Sequence, residues 1–222
     1  MALLRGTQIR FLDSDYVNWG KKRSVPEKIV FSRNMQNTLS PLVAYKRSRS
    51  LDSSNWYMGN LLTFLAESKD TGGSFTLLEG LLKPGNEPPP HVHGREDELF
   101  YVLEGEMDMY VGNEVFKTGP GECLFLPRLQ PHTFIVSSPR LRTLVLFMPG
   151  GLEECFRARS ARAGNLELPP EAATYSTSDL EPAIRAFEEY GARFLSPHEV
   201  AEQMPLYFVA INEANSLASI AE

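Results

Sequence analysis

The sequence has few histidines and few cysteines for its 222 residues, four and two respectively. Two cysteines are too few for the disulfide framework that holds many small secreted domains together. The first residues, MALLRGTQIRFLDSDYV, lack a basic stretch followed by a long apolar core, so they do not predict a secretory signal. No apolar run approaches the roughly 18 residues that a membrane-spanning helix needs. These absences predict a soluble, cytoplasmic protein with no membrane partner.

The chain also lacks the basic excess that is typical of nucleic-acid-binding proteins, since its net charge is −6. The charge is nevertheless uneven. Residues 1–50 carry ten Lys or Arg against three Asp or Glu, a net +7, which leaves −13 for the remainder. A basic arm that contacts an acidic body explains this asymmetry, and a solvated leader explains it equally well. We define residues 1–55 as an N-terminal extension or arm and expect no nucleic-acid partner.

Short apolar segments bounded by turn residues dominate the chain from Trp56 onward. They are rich in β-branched and aromatic residues, which is typical of strands. Such strands predict an all-β, antiparallel sandwich or barrel over residues 56–157, and GNE at 112–114 predicts a tight turn within it. In the extension, KIVFS and PLVAYKR are candidate short strands. The main segments are NLLTFLA, SFTLLEGLL, ELFYVLEG, EMDMYVG, NEVFKTG, ECLFLP, HTFIVSS and LRTLVLFM.

The end of the barrel and the residues that follow it, 158–222, predict a linker, short helices and a tail that packs on the barrel. GGLEECFRARSARAG predicts a short helix from Leu152. SDLEPAIRAFEEYGARF predicts a second helix, with Ser178 or Asp179 as its N-cap and Gly191 at its end. PHEVAEQMPLYFVAINE predicts one more short helix followed by an apolar strand.

Two of the four histidines stand two residues apart in PPPHVHGREDELFYVLEG. Side chains at i and i+2 of a strand point to the same face, so His91 and His93 project together, with Cα atoms about 6–7 Å apart. The prolines before them are tolerated at the start of a strand, and they stiffen the approach to it. Two imidazoles in this arrangement can bind one divalent ion.

Glu98 and His132 are the further ligand candidates. Glu98 leads the apolar run LFYVLEG, and a carboxylate on a buried apolar face needs a partner or a cation. His132 shares its face with Phe134 and Val136, again one polar residue on an apolar stripe. Each residue alone has an ordinary structural explanation, whereas the combination favours a metal site. Three imidazoles and a carboxylate suit one divalent Fe, Mn, Co, Ni, Cu or Zn ion better than Ca or Mg.

The spacing of these residues resembles the first motif of the cupin superfamily, G-x5-H-x-H-x3,4-E-x6-G. Gly85, His91, His93, Glu98 and Gly105 match it at every position. The neighbouring acidic residues at 96 and 97 do not have the required spacing to the last glycine.

The second cupin motif is matched in part. Gly121, Pro127 and His132 stand at its positions, whereas Leu129 replaces a glycine and Val136 replaces an asparagine. Neither replaced position binds metal in the family, so the ligand set survives.

Within the superfamily, the chain is similar to quercetin 2,3-dioxygenase-like cupins along residues 57–157 and again at EYGARFLSP. The resemblance implies a jelly-roll barrel, a homodimer, and an internal metal ion bound by His91, His93, Glu98 and His132. It also implies a catalytic Glu98 that accepts the proton of a substrate hydroxyl, after which O2 cleaves the ring and CO is released. A metal ion with open positions polarises such an oxygen, and a nearby carboxylate is a plausible base.

An aromatic-rich interior is the predicted substrate pocket. Such a cavity suits a flat aromatic or polyketide-like molecule better than a sugar phosphate, which would require basic lining. Aromatic residues in a small barrel mostly fill the core, and these side chains can have that role instead. The predicted lining is Phe100, Val102, Phe125 and Phe134, with Leu144 and Phe147 as further candidates.

Three functions are compatible with these residues. The first is a metal-dependent dioxygenase acting on a phenolic or enolic small molecule. The second is an O2-independent isomerase, cyclase or decarboxylase of secondary metabolism, because one fold hosts many chemistries. The third is a non-catalytic small-molecule-binding protein, against which the retained ligand set argues.

Overall fold

The computed structural model describes residues 41–170 and 184–220, with side chains described as far as residue 214. Within these residues, twelve strands form two antiparallel sheets with a few short helices around them. The predicted all-β antiparallel sandwich is therefore confirmed. The candidate strand KIVFS lies outside the described residues.

The larger sheet contains seven strands: β1 (Ser54–Tyr57), β2 (Asn60–Ala66), β3 (Thr76–Leu82), β5 (Asp97–Glu104), β8 (Cys123–Leu126), β10 (Leu141–Met148) and β11 (Ala161–Arg162). Their order across the sheet is β11-β1-β2-β3-β10-β5-β8. In β5, Phe100 and Val102 are buried while Tyr101 between them is exposed. This alternation places Glu98, which has the same parity, on the inner face.

The smaller sheet contains five strands: β4 (His91–His93), β6 (Met107–Val111), β7 (Glu114–Thr118), β9 (His132–Val136) and β12 (Ala192–Phe194). Their order is β12-β4-β9-β6-β7. The turn expected at 112–114 joins β6 to β7, with Gly112 at a positive φ of 53°. β4 is central to the site, since it carries two histidines and lies between β9 and β12.

The helices are α1 (Ser68–Thr71), α2 (Glu153–Ala158), α3 (described over residues 184–189), α4 (Pro197–Gln203) and α5 (Pro205–Ile220). α2 follows Leu152 as expected, and α3 ends just before Gly191, which has a φ of +85°. The expected caps of α3, Ser178 and Asp179, lie outside the described residues. None of the helices in the described ranges has the length and apolar content needed to cross a membrane.

Two strand predictions are wrong. PLVAYKR, at 41–47, is irregular, and its apolar residues Leu42 and Val43 are exposed rather than paired in a sheet. The apolar strand expected within PLYFVAINE is instead part of α5. Met204, Tyr207 and Ala210 recur at helical spacing and pack together on the smaller sheet, so one helical face buries what a strand would have split between two.

The C-terminal part of the chain contributes to both sheets. β11 pairs with β1 at the edge of the larger sheet, and β12 pairs with β4 at the edge of the smaller one. Both strands come from the segment expected to hold only a linker, helices and a tail. They are two and three residues long, too short to show an alternating pattern in the sequence.

A cluster of apolar side chains fills one end of the sandwich. On β5, the chain passes from Glu98 into this core, which it reaches by Val102. On β9, it passes from His132 into the core, which it reaches by Val136. Burying one such side chain fully stabilises the fold by about 1.5–3 kcal/mol. The cluster consists of Leu82, Phe100, Val102, Met107, Met109, Leu126, Phe134, Val136 and Leu141. Glu98 and His132 therefore lie at the edge of this core, on the inner faces of β5 and β9.

Candidate metal centre

Three strands bring the four predicted ligands together. His91 and His93 project from β4, Glu98 from β5 and His132 from β9, and His91 lies opposite His132 in the strand register. All four residues are buried, and one ligand atom from each lies within 4.8 Å of the others. The structure thus assembles in space the set that the sequence singled out.

The distances within this group fit a transition-metal ion. His91 Nε2 lies 3.1 Å from His93 Nε2. Glu98 Oε2 lies 3.1 Å from His132 Nε2 and 3.6 Å from His93 Nε2. Ligands about 2.0–2.1 Å from a shared ion would stand roughly 3.0–3.4 Å apart at the angles of common coordination geometries. The donor set and its spacing therefore both suit such an ion.

Hydrogen bonds fix the tautomers of two histidines. His91 Nδ1 lies 2.8 Å from the Pro89 carbonyl oxygen, and His132 Nδ1 lies 2.9 Å from that of Gln130. A carbonyl oxygen only accepts, so each Nδ1 carries the proton and each neutral ring keeps its lone pair on Nε2. Both lone pairs consequently point into the cluster, where a cation would use them.

The pKa values of the two histidines of β4 shift in opposite directions. Burial, with the neighbouring His132 and His93, holds the pKa of His91 well below its ordinary value of 6.5. Burial also opposes protonation of His93, but Glu96 and Glu98 outweigh it and raise the pKa of that ring. Protonation therefore competes with metal binding at His93 more than at His91, and it competes more strongly as pH falls.

The proline segment before β4 is held in place by hydrogen bonds on both sides. Thr133 Oγ1 donates to the Pro88 carbonyl at 2.7 Å, and the Leu195 amide donates to the Pro90 carbonyl at 2.9 Å. The Leu129 amide donates to the His93 carbonyl at 2.8 Å. These hydrogen bonds hold the short strand β4 in place.

Leu129, which replaces the motif glycine, has a left-handed φ of 68°. A non-glycine residue is strained there by about 1–2 kcal/mol. The turn after β8 is therefore retained in spite of the substitution, at the expense of local strain.

A cavity of about 130 Å³ adjoins the four residues. Its walls are almost entirely apolar. The ring of Phe194 lies 6.0 Å from that of His91, and the ring of Phe147 lies 5.9 Å from that of His93. The aromatic walls are formed by Tyr57, Phe100, Phe134, Phe147, Phe156, Phe187 and Phe194.

The predicted pocket residues fall into three groups. Phe100 and Phe134 line the cavity, as does Phe147. Val102 lies deeper, in the packed core. Phe125 is 53% exposed and points away from the interior, so its assignment to the pocket is wrong.

The strand register explains the error at Phe125. Leu126 lies opposite Glu98 and is buried, so Phe125, one residue earlier, faces outward. Leu144 is likewise not among the residues that line the cavity, whereas its neighbour Val145 is.

Sequence reasoning missed the lining that comes from outside the barrel strands. Phe156 belongs to α2, Phe187 to α3 and Phe194 to β12, and all three line the cavity. The ring centroids of Phe187 and Phe194 are 5.3 Å apart. No alternation marks these positions, because each lies on a different element.

The fold and the site define a class, a two-sheet β-sandwich with three histidines and a glutamate buried between its sheets. A family model described as "Cupin domain" matches residues 79–148, which include all four residues. The chain therefore carries a cupin domain over residues 79–148.

Two curated relatives carry the same name. The chain is 29% identical over 93 residues to quercetin 2,3-dioxygenase of Bacillus subtilis, a match that covers 42% of this chain and 28% of that protein. It is 26% identical over 179 residues to quercetin 2,3-dioxygenase of Aspergillus japonicus, covering 72% of this chain and 51% of that one. The matches thus span about half of these relatives' length or less.

Among solved structures, an RmlC-like cupin from Shewanella frigidimarina is similar at a TM-score of 0.43 and 18% identity. The superposition covers 50% of this chain and 96% of that one.

Proposed function

We propose that His91, His93, Glu98 and His132 bind one divalent transition-metal ion, and that the protein is a metal-dependent dioxygenase acting on a phenolic or enolic small molecule. The observation that carries the proposal is the convergence of four buried donor atoms within 4.8 Å at the wall of an aromatic cavity. The two quercetin 2,3-dioxygenases among the relatives support the reaction class.

The donor set favours borderline metals. Imidazole suits Zn, Cu, Fe and Ni, and a single carboxylate among imidazoles is compatible with Mn and Co as well. A bound ion would supply Lewis-acid polarisation of a substrate hydroxyl or enolate oxygen. The identity of the ion follows from metal availability as much as from affinity, because geometry alone does not separate these metals.

The cavity walls would bind and orient a flat substrate. Phe100 and Phe134 pack edge-to-face, with ring centroids 5.7 Å apart, and leave an apolar surface next to Glu98. An aromatic ring on this surface excludes water from the polar atoms at its edge, which strengthens every electrostatic interaction there. A substrate with a ring and one acidic hydroxyl therefore matches both the walls and the polar end.

Glu98 is the proposed general base. Its Oε2 faces the imidazole nitrogens of His132 and His93 at the polar end of the cavity. A carboxylate in this position can accept the proton of a substrate hydroxyl and hold it beside the reacting oxygen. The flanking imidazoles keep the carboxylate in place while it does so.

The test is turnover by metal-loaded protein with a panel of flavonols and related enols, followed as O2 consumption and CO release. We expect O2 uptake that requires both metal and substrate, with Asp97→Asn as a matched control that keeps its activity because Asp97 faces Arg128 at the surface. A metal-loaded protein that is inert to the whole panel would contradict the dioxygenase assignment.

Anaerobic product analysis separates the second candidate function. Turnover without O2 would support an isomerase, cyclase or decarboxylase on the same metal site. A third result, no rise in melting temperature on metal addition, would favour a non-catalytic protein, because a ligand bound only by the native state must stabilise it.

A further inference from the structure

Glu96 is a buried acid for which the proposed site has no use. It lies in the bend between β4 and β5 and is 1% exposed. Neither of its carboxylate oxygens has a hydrogen-bond partner within the described residues. The nearest Arg atom, Arg95 Nε, is 3.8 Å away on a half-exposed side chain. A buried charge with so little compensation costs several kcal/mol, so fold stability alone does not explain its presence.

A second unsatisfied atom lies beside it. His93 Nδ1 is buried, has no hydrogen bond in the described part of the chain, and lies 3.8 Å from Glu96 Oε2. A donor and an acceptor that each lack a partner thus face each other across a short gap.

The three imidazoles of the cluster differ in the group that faces Nδ1. His91 and His132 each donate Nδ1–H to a backbone carbonyl oxygen, which orients the ring. Among the described residues, His93 Nδ1 has no such carbonyl at hydrogen-bonding distance, and the Glu96 carboxylate lies on that side of the ring at 3.8 Å. Metal-bound histidines generally donate their second N–H to a carbonyl or a carboxylate.

We propose that Glu96 is a positioning residue for the metal site: its carboxylate accepts a hydrogen bond from His93 Nδ1–H and so holds His93 Nε2 toward the ion. This inference rests on the proposed metal binding. The gap closes by about 1 Å to reach the 2.7–2.9 Å of a charge-assisted hydrogen bond. The carboxylate also makes the imidazole a more basic ligand for the ion. The stronger metal bond then compensates for the cost of burying Glu96.

Glu96 is not a fifth ligand. Its carboxylate lies on the Nδ1 side of His93, whereas the group of converging ligand atoms contains only His91, His93, Glu98 and His132 among the described residues. Its effect on the ion must therefore act through His93.

Metal affinity tests the proposal, with Co2+ as the probe. Co2+ binding to chelator-treated, full-length protein is measured by competition with a coloured chelator for wild type, Glu96→Gln, Glu96→Leu and the control Asp97→Asn. We expect about tenfold weaker binding for Glu96→Gln, which keeps an acceptor but loses the charge, and nearer 100-fold for Glu96→Leu. Asp97→Asn, one residue away and paired with Arg128, should bind as wild type does.

Two further readouts exclude a merely structural role. The metal-free Glu96→Leu protein should melt at the wild-type temperature or above it, because an uncompensated buried charge has been removed. In the Zn2+-loaded protein, the downfield NMR signal of the His93 Nδ1 proton should disappear in Glu96→Leu while those of His91 and His132 remain.

The outcomes are distinguishable. Wild type that binds no Co2+ would overturn the proposed metal site itself. Wild type that binds Co2+ with no loss in either Glu96 variant would overturn this inference alone. A lower melting temperature with unchanged affinity would assign Glu96 to the fold instead, and Glu96→Gln keeps the test valid if the leucine variant does not fold.

Discussion

Two regions of the molecule each bury a glutamate, and they treat it in opposite ways. Glu153, at the start of α2, accepts hydrogen bonds from the Ser68 amide at 2.6 Å, the Thr76 hydroxyl at 2.5 Å and the Gly151 amide at 2.7 Å. Glu98, on β5, lies 3.1 Å from His132 Nε2, whose lone pair points into the cluster, and 3.6 Å from His93 Nε2. The first carboxylate ties α1, β3 and α2 together, whereas the second is surrounded by groups that a cation would satisfy.

The protonation of Glu153 reflects this difference. Burial alone would raise the pKa of Glu153, but hydrogen bonds from Ser68 and Thr76 outweigh it and hold the pKa below the ordinary value of 4.5. The lowered pKa contributes stability that is present above about pH 4.5 and is lost as pH falls through the folded value. A buried charge whose partners are all supplied by the chain thus stabilises the fold, and one without such partners indicates a ligand.

Glu98→Gln should give the largest effect. We expect Co2+ affinity to fall by more than about 100-fold, or about 2.7 kcal/mol, because a charged ligand is lost. The metal-free protein should melt within a few degrees of wild type, since no backbone N–H in the described residues donates to Glu98. A chelator competition and a melting curve measure the two quantities, and a large metal-free destabilisation would break the contrast with Glu153.

Glu153→Gln should show the reverse pattern. The amide cannot accept from three donors as the carboxylate does, so the free energy of unfolding should fall by about 2 kcal/mol. For a chain of this size, that corresponds to a melting temperature roughly 4–8 °C lower. Metal affinity of the folded protein should be unchanged, and a weakened affinity would show that the two regions are coupled.

The substitution Leu129→Gly tests whether the backbone at Leu129 is strained. Leu129 is 67% exposed and has a φ of 68°, so glycine should relieve strain with little loss of buried surface. We expect about 0.5–1 kcal/mol of added stability, measured by urea unfolding, with no change in metal affinity. Reduced stability would mean that the exposed side chain has a packing role.

The substitution Arg128→Gln tests a carboxylate near the surface, that of Asp97, for comparison with the two buried glutamates. Hydrogen bonds from the Arg128 side chain and backbone lower the pKa of Asp97 from 3.8 to about 2. The pair's contribution is present above about pH 3.8 and disappears as pH falls through about 2. Side-chain NMR titration should find the Asp97 pKa shifted back toward 3.8 in the variant, with no measurable change at the metal site.

The residues carried by regular strands could be predicted from the sequence. His91 and His93 share a face because strands have a period of two, and the same rule places Glu98 and His132 inside. The motif spacing then identifies the group from the sequence alone. Glu96 lies before β5, outside the strand, so the alternation gave no signal for its burial.

The rest depends on pairing that no local pattern records. Phe125 was misplaced because the inward position of β8 is set by the pairing of Leu126 with Glu98, not by the size of the side chain. Phe194 reaches the cavity only because β12 pairs with β4, about a hundred residues away in the sequence. Long-range register of this kind is decided by packing of the whole sandwich.

The pairing of β12 with β4 also bears on how long an ion stays. Ala192 lies opposite His93 and Phe194 opposite His91, so the strand that presents both imidazoles has neighbours on each side. In the proposed site, the four donor atoms would set the affinity for the ion, and the escape rate would depend on how often β4 moves away from β9. A chain that ended before residue 192 would keep every ligand and turn β4 into a free edge. Its ion should exchange with a chelator faster than in the intact protein, which makes the C-terminal strand a determinant of metal retention time.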